Sequence, residues 1–129
     1  MYILLESRRR LFFCVGDSDT ITVRIRRYTM VKHIILWQFK DELTDDRKKE
    51  LGNEIKEKLE ALQGRIPGLV DIHVQADILP SSNADLMLDC SFTDEDALNG
   101  YAVYPDHVKI KDGIIAPNVK LRVCIDYKE

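Results

Sequence analysis

Along residues 31–127 the hydrophobic period changes in a fixed order: strand, helix, strand, strand, helix, strand. Val31, His33, Ile35, Trp37 and Phe39 alternate with Lys32, Ile34, Leu36, Gln38 and Lys40, and the middle of that run is apolar on both faces, as in a central strand. Thr44 then reads as a helix N-cap with Asp45 and Asp46 in the first turn. Leu51, Ile55, Leu59 and Leu62 follow as one buried stripe, Glu54 and Lys58 can pair on the wet side, and Gly64 and Pro67-Gly68 mark the stop and turn. Val70, Ile72, Val74, Ala76 and Ile78 alternate as a second strand, and Leu86, Leu88, Cys90 and Phe92 as a third. Thr93 is the expected cap of a second helix carrying Leu98, Tyr101 and Ala102, which Pro105 ends. A loop or short helical piece spans His107 to Pro117, and Val119, Leu121, Val123, Ile125 and Tyr127 make a fourth strand.

The resulting β-α-β-β-α-β order predicts an α+β fold, a ferredoxin-like unit. Two helices cover only one face of a four-stranded sheet. The other face exposes Ile34 and Leu36, with Met87 and Leu79 beside them. An uncovered apolar face calls for a partner, and a homodimer packed sheet against sheet is the simplest one.

Residues 1–29 differ from the rest. They hold six of the nine arginines and none of the lysines, for a net charge of +3, whereas residues 30–129 carry −6. The order of Met1–Leu5 and Arg8–Arg10 is wrong for a signal peptide, and the arginines form no dense basic cluster. We read the boundary as an over-long gene start. Arg26-Arg27 can be encoded as AGG-AGG, a bacterial ribosome-binding sequence, ahead of a start at Met30. Against this, Ile21, Val23 and Ile25 alternate with Thr22, Arg24 and Arg26 as an added edge strand would. The domain expected to carry function is 30–129.

The net charge of −3 argues against a nucleic-acid partner or a basic membrane-surface role. The apolar run Ile34–Trp37 is far too short to span a bilayer. Cys14, Cys90 and Cys124 are odd in number and far apart, so reduced thiols in the cytoplasm are expected rather than a disulfide scaffold. His33, His73 and His107 belong to different elements with no ligand spacing, so no metal site is predicted. No glycine-rich phosphate loop or Gly-x-Ser-x-Gly elbow is present, and no cofactor is expected.

Three stretches carry a resemblance. Val31-Lys32-His33 opens the first strand, Ile66-Pro67-Gly68 follows the first helix, and Tyr101-x-x-Tyr104-Pro105-x-His107-Val108 follows the second. Together they resemble the stress-responsive A/B barrel domain (Dabb) family over residues 31–127. The resemblance implies a dimeric α+β barrel of two ferredoxin-like units. Many members of the family have no assigned reaction. One is a plant polyketide cyclase that performs an intramolecular aldol condensation without a cofactor. Its functional histidines and tyrosine fall by motif on His33, His107 and Tyr101. Where it and many relatives carry histidine before the proline, this chain has Tyr104.

The chemistry of these residues fits either a site or a core. A histidine titrates near ~6.5 and so can act as a neutral base at His107, while Tyr101, near ~10, remains a hydrogen-bond donor for an oxyanion. His33 reads as a second polar anchor or as a core histidine satisfied by a backbone carbonyl. Tyr101 at helical spacing from Leu98 equally suits a core position. Ile35, Trp37, Phe39 and Tyr104 are the expected lining for a small apolar or aromatic ligand, or else plain core filler. Three functions follow: a barrel that holds an apolar ligand, a cofactor-free cyclase or lyase, and a structural dimer with a filled core.

Overall fold

The computed structural model describes residues 10–16 and 21–27 by their backbone and residues 30–129 in full. Strands β1 (Arg10–Gly16) and β2 (Ile21–Arg27) pair antiparallel in a two-stranded sheet of their own. The strand expected at 21–25 is therefore present, but its partner is β1 and not the four-stranded sheet. The Met1–Leu5 run lies outside the described residues.

The remaining elements follow the expected order. They are β3 (Val31–Phe39), α1 (Asp45–Glu60), β4 (Leu69–Gln75), β5 (Leu86–Phe92), α2 (Glu95–Val103), α3 (Pro105–Ile110), a π-helical turn at Lys111–Ile115, a 3-10 turn at Ala116–Asn118, and β6 (Val119–Lys128). The strands lie in the order β4-β5-β3-β6, every neighbouring pair antiparallel. This is the ferredoxin-like arrangement. No helix among the described residues is long and apolar enough to cross a membrane.

The inner face of the sheet meets the helices. Val31, Ile35, Trp37 and Phe39 of β3, Leu86, Leu88, Cys90 and Phe92 of β5, and Leu51, Ile55, Leu59 and Leu62 from α1 and its C-terminal turn are all buried there. Thr44 caps α1 as read, its hydroxyl accepting from the Arg47 amide at 3.2 Å. At α2 the cap is Asp94 rather than Thr93. The Asp94 carboxylate accepts from the Ala97 amide at 2.8 Å, while the Thr93 amide, just past the end of β5, donates to the Gly68 carbonyl at 2.9 Å. Pro105 does more than end α2. Tyr104 is extended (φ −63°, ψ 128°), and the proline then takes the first position of α3, where its missing N–H costs nothing.

Two further departures concern β4. Its register against β5 slips between Leu69 and Asp71, so Leu69 turns inward and Val70 outward, the reverse of a regular alternation from Val70. The strand also ends at Gln75, before Ala76 and Ile78. Gly68, just ahead of it, has φ +80°, and a Cβ there would sit 2.3 Å from the Ala97 Cβ. Only glycine lets α2 lie that close to the β4 entrance.

The outer face divides in two. On the β5–β4 side polar groups join Met87, which stands opposite Leu36: Lys32 donates to Asp89 and, at 2.9 Å, to Ser91. On the β3–β6 side, Leu36, Leu121, Val123, Ile125 and Tyr127 are exposed. Ile34 pairs with Ile125, and Leu36 with Val123. From Leu121 to Tyr127 the apolar series of the fourth strand therefore joins the uncovered face, while Val119, opposite Phe39 past the bulge, stays packed against the core. The polar series Lys120, Arg122, Cys124 and Asp126 faces the helices instead, since Arg122, Cys124 and Asp126 stand opposite Trp37, Ile35 and His33.

Candidate functional site

A cavity of about 370 Å³ opens between the inner face of β3 and β6, α2 and the 107–122 segment. Ile35, Trp37, Leu59, Leu88, Leu98 and Ile115 make its apolar walls. His33, Tyr101 and His107 also line it, so β3, α2 and α3 each place one expected site residue on the same space. The extended Tyr104-Pro105 step matters here. It breaks the helix after Val103 and starts α3 so that the His107 ring lies over the Tyr101 ring, centroids 4.1 Å apart and planes inclined by 33°. His33 meets Tyr101 edge-on at 5.9 Å.

Three side-chain polar atoms among the described residues are buried with no hydrogen-bond partner: Trp37 Nε1, the Tyr101 hydroxyl oxygen and His107 Nδ1. All three residues line this cavity. Each of these atoms is shielded from solvent by its surroundings, and the Tyr101 hydroxyl has the Cys90 thiol as its neighbour.

His33 is anchored differently. Its Nδ1 bonds the Asp126 carboxylate directly across the β3–β6 pair. A carboxylate only accepts, so Nδ1 donates, and the ring orientation is fixed. Cys124 lies beside the pair, its sulfur 3.8 Å from His33 Nδ1 and 3.5 Å from an Asp126 oxygen. These three donor atoms lie within 4.8 Å of one another, a nitrogen–sulfur–oxygen set of the kind that can hold a cation. Burial, with Asp126 adding to it, pushes the Cys124 thiol up and keeps it protonated. As it stands the cluster is a hydrogen-bonded pair with a thiol alongside. Asp126 was not legible as a site residue in the sequence, since it is 93 positions from His33 and only strand register joins them.

The protonation states suit proton chemistry. Burial pushes the Tyr101 phenol well above its ordinary range, with the neighbouring Cys90 thiol adding to it and Arg122 opposing. The phenol therefore remains a donor. Burial likewise raises the Cys90 thiol and leaves it inert. Burial pulls the His107 imidazole below the usual histidine range; the Ala102 carbonyl opposes this, and Lys111, His33 and Arg122 reinforce it. The ring is thus neutral at neutral pH.

Two expected lining residues lie elsewhere. Phe39 is 1% exposed and packed in the core beyond the cavity. The bulge between Gln38 and Phe39 separates it from the strand stretch that faces the cavity. The Tyr104 hydroxyl donates to the Arg65 carbonyl at 3.4 Å, which turns that ring toward the α1–β4 connection. Their places are taken by Lys111, Lys120 and Arg122, which no spacing in the sequence pointed to.

Residues 31–129 match the family described as the stress responsive A/B barrel domain. A search of the curated proteins finds no match. Among solved structures, a dimeric protein of unknown function with a ferredoxin-like fold from Bacteroides fragilis is 32% identical, with a TM-score of 0.73, over 78% of this chain and 96% of that one. A dimeric ferredoxin-like protein of unknown function from Thermobifida fusca is 27% identical, with a TM-score of 0.66, over 78% and 92%. A hydroxynitrile lyase from Passiflora edulis is 15% identical, with a TM-score of 0.64, over 79% and 94%, a likeness of fold alone.

Proposed function

The chain belongs to the stress responsive A/B barrel domain family, and on that premise we propose that it is a cytoplasmic homodimer whose inner cavity holds a small apolar or aromatic molecule. The apolar cavity with His33, Tyr101 and His107 on its wall carries this reading. Such a wall suits a guest with an apolar body and a polar group. The exposed Leu36, Leu121, Val123, Ile125 and Tyr127 support the dimer, in keeping with the dimeric relatives. Native mass spectrometry of the protein purified from its own host tests both parts. The expected result is a dimer carrying a small-molecule mass that is absent from Ala102→Phe, whose ring fills the cavity. A bare monomer overturns the reading.

A second reading, a cofactor-free cyclase or lyase, draws on one further observation. His33, held by Asp126, a neutral His107 and a protonated Tyr101 line the same space. His107 would remove a proton next to a carbonyl, Tyr101 would donate to the developing oxyanion, and His33, held by Asp126, would orient the substrate. Deuterium exchange into the methyl group of acetophenone, followed by NMR, tests the base. Acceleration that is lost in His107→Ala supports it, and no acceleration by the wild type refutes it.

A further inference from the structure

The cavity has an electrostatic signature that its apolar walls do not explain. Its lining includes Lys111, Lys120 and Arg122 and not one aspartate or glutamate. Residues 30–129 carry a net charge of −6, so a wholly cationic rim runs against the balance of the domain. The three cations are not equally free. Lys120 is engaged by Asp41 at 2.6 Å. Lys111 has only a distant neighbour, Asp112, at 3.9 Å. Arg122 forms no ion pair with a carboxylate among the described residues; its side chain instead bonds the Cys124 thiol.

Strand geometry explains how the rim is built. The outer face takes Leu121, Val123 and Ile125, so the alternation sends Lys120 and Arg122 inward, where Arg122 stands opposite Trp37. The charge is felt inside. Arg122 acts on the Tyr101 phenol, and Arg122 and Lys111 both act on the His107 imidazole. A guanidinium fork and an ammonium at the mouth of an apolar cavity form a receptor for a planar, two-oxygen anion. At about 370 Å³ the space lies near the lower end of the usual range for small-ligand sites, about 300–1,000 Å³. That size favours one compact ring system over a long chain or a nucleotide conjugate.

Resting on the cavity reading above, we propose that the ligand is a small aromatic carboxylic acid whose ring enters between Ile35, Trp37 and Leu98 and whose carboxylate is held at the mouth by Arg122 and Lys111.

Naphthoate and its uncharged counterpart naphthamide separate the charge from the apolar body. Their affinities are measured by titration calorimetry, with and without added salt. Naphthoate is expected to bind roughly tenfold or more tightly than naphthamide, as a charge-assisted contact implies, and salt should weaken naphthoate alone. Changing Arg122→Met together with Lys111→Met should erase the difference and leave naphthamide binding unchanged. Arg122→Lys with Lys111 intact should keep most of it. Both cations are exposed, so the fold is expected to survive, which circular dichroism checks. Equal affinities in the wild type, or a double variant that still prefers naphthoate, overturn the proposal and leave the cavity reading standing. Binding of neither compound, or binding undiminished in Ala102→Phe, overturns the cavity reading and this proposal with it.

Discussion

Changing Ile125→Glu puts a charge in the middle of the uncovered sheet face and tests the dimer directly. Ile125 is 58% exposed in the single chain and lies opposite Ile34. Burying an isoleucine completely is worth about 1.5–3 kcal/mol, so covering the exposed part contributes about 1–2 kcal/mol per subunit. In a two-fold dimer the same residue counts twice, giving about 2–4 kcal/mol, or roughly thirtyfold to several hundredfold in Kd. A glutamate in that position must also be desolvated, so this figure is a floor. The variant should leave the single chain intact, because Ile125 lies on an edge strand with its side chain turned away from the core. Sedimentation velocity across a concentration series reads the dissociation constant, and urea unfolding at low concentration reads the monomer. A variant whose Kd moves less than roughly tenfold would show that this face does not lie at the centre of the interface. A wild type that stays monomeric at every concentration would refute the dimer itself.

The same structure sets further expectations. Because burial holds the folded-state pKa of His107 below its unfolded value, the unfolded chain takes up the proton first as pH falls. Stability should therefore drop from about pH 6.5 downward until the folded value is passed, and His107→Gln should flatten that limb relative to wild type in urea titrations. Asp94→Ala should cost about 1 kcal/mol of stability through loss of the α2 cap, and Thr93→Ala clearly less; equal losses would contradict the cap assignment. Gly68→Ala should lower stability by about 2 kcal/mol or more, combining a left-handed backbone with the close approach to Ala97, and a melting temperature unchanged from wild type would contradict the packing. Asp126→Asn should free the His33 ring to change tautomer, visible in its nitrogen chemical shifts, whereas an unchanged spectrum would show that the carboxylate does not set it.

Much of the fold was legible because it rests on local periods. The alternation at 31–39 and the stripe Leu51-Ile55-Leu59-Leu62 each name a buried face without help from the rest of the chain. The polarity of β6 was less accessible. Its period is plain, but a period does not say which face packs inward. Leu121 to Tyr127 look like a core series, yet they form the outer surface once β6 pairs with β3. Register also hides the His33–Asp126 bond and the inward placement of Arg122. The slip at Leu69–Asp71 moves Val70 by one step, a change that alternating sequence cannot signal. At α2 two good capping residues stand side by side, and the choice falls to Asp94 because the Gly68 carbonyl has already taken the Thr93 amide. The motif around Tyr101 and His107 did point to two side chains that meet. The cationic rim had no such sign, since its members come from α3's extension and from alternate positions of β6.

One consequence follows from the two-sidedness of β6. Its outward residues make up much of the apolar face, and its inward residues bound the cavity mouth, on one edge strand held laterally by β3 alone. Any shift of that strand on association would move Arg122 relative to Tyr101. Assembly and ligand occupancy would then share a single coupling free energy, and a ligand that tightens the dimer must be bound more tightly by the dimer in equal measure. Self-association would act as a concentration-dependent dial on the cavity, set by how much of the protein the cell makes.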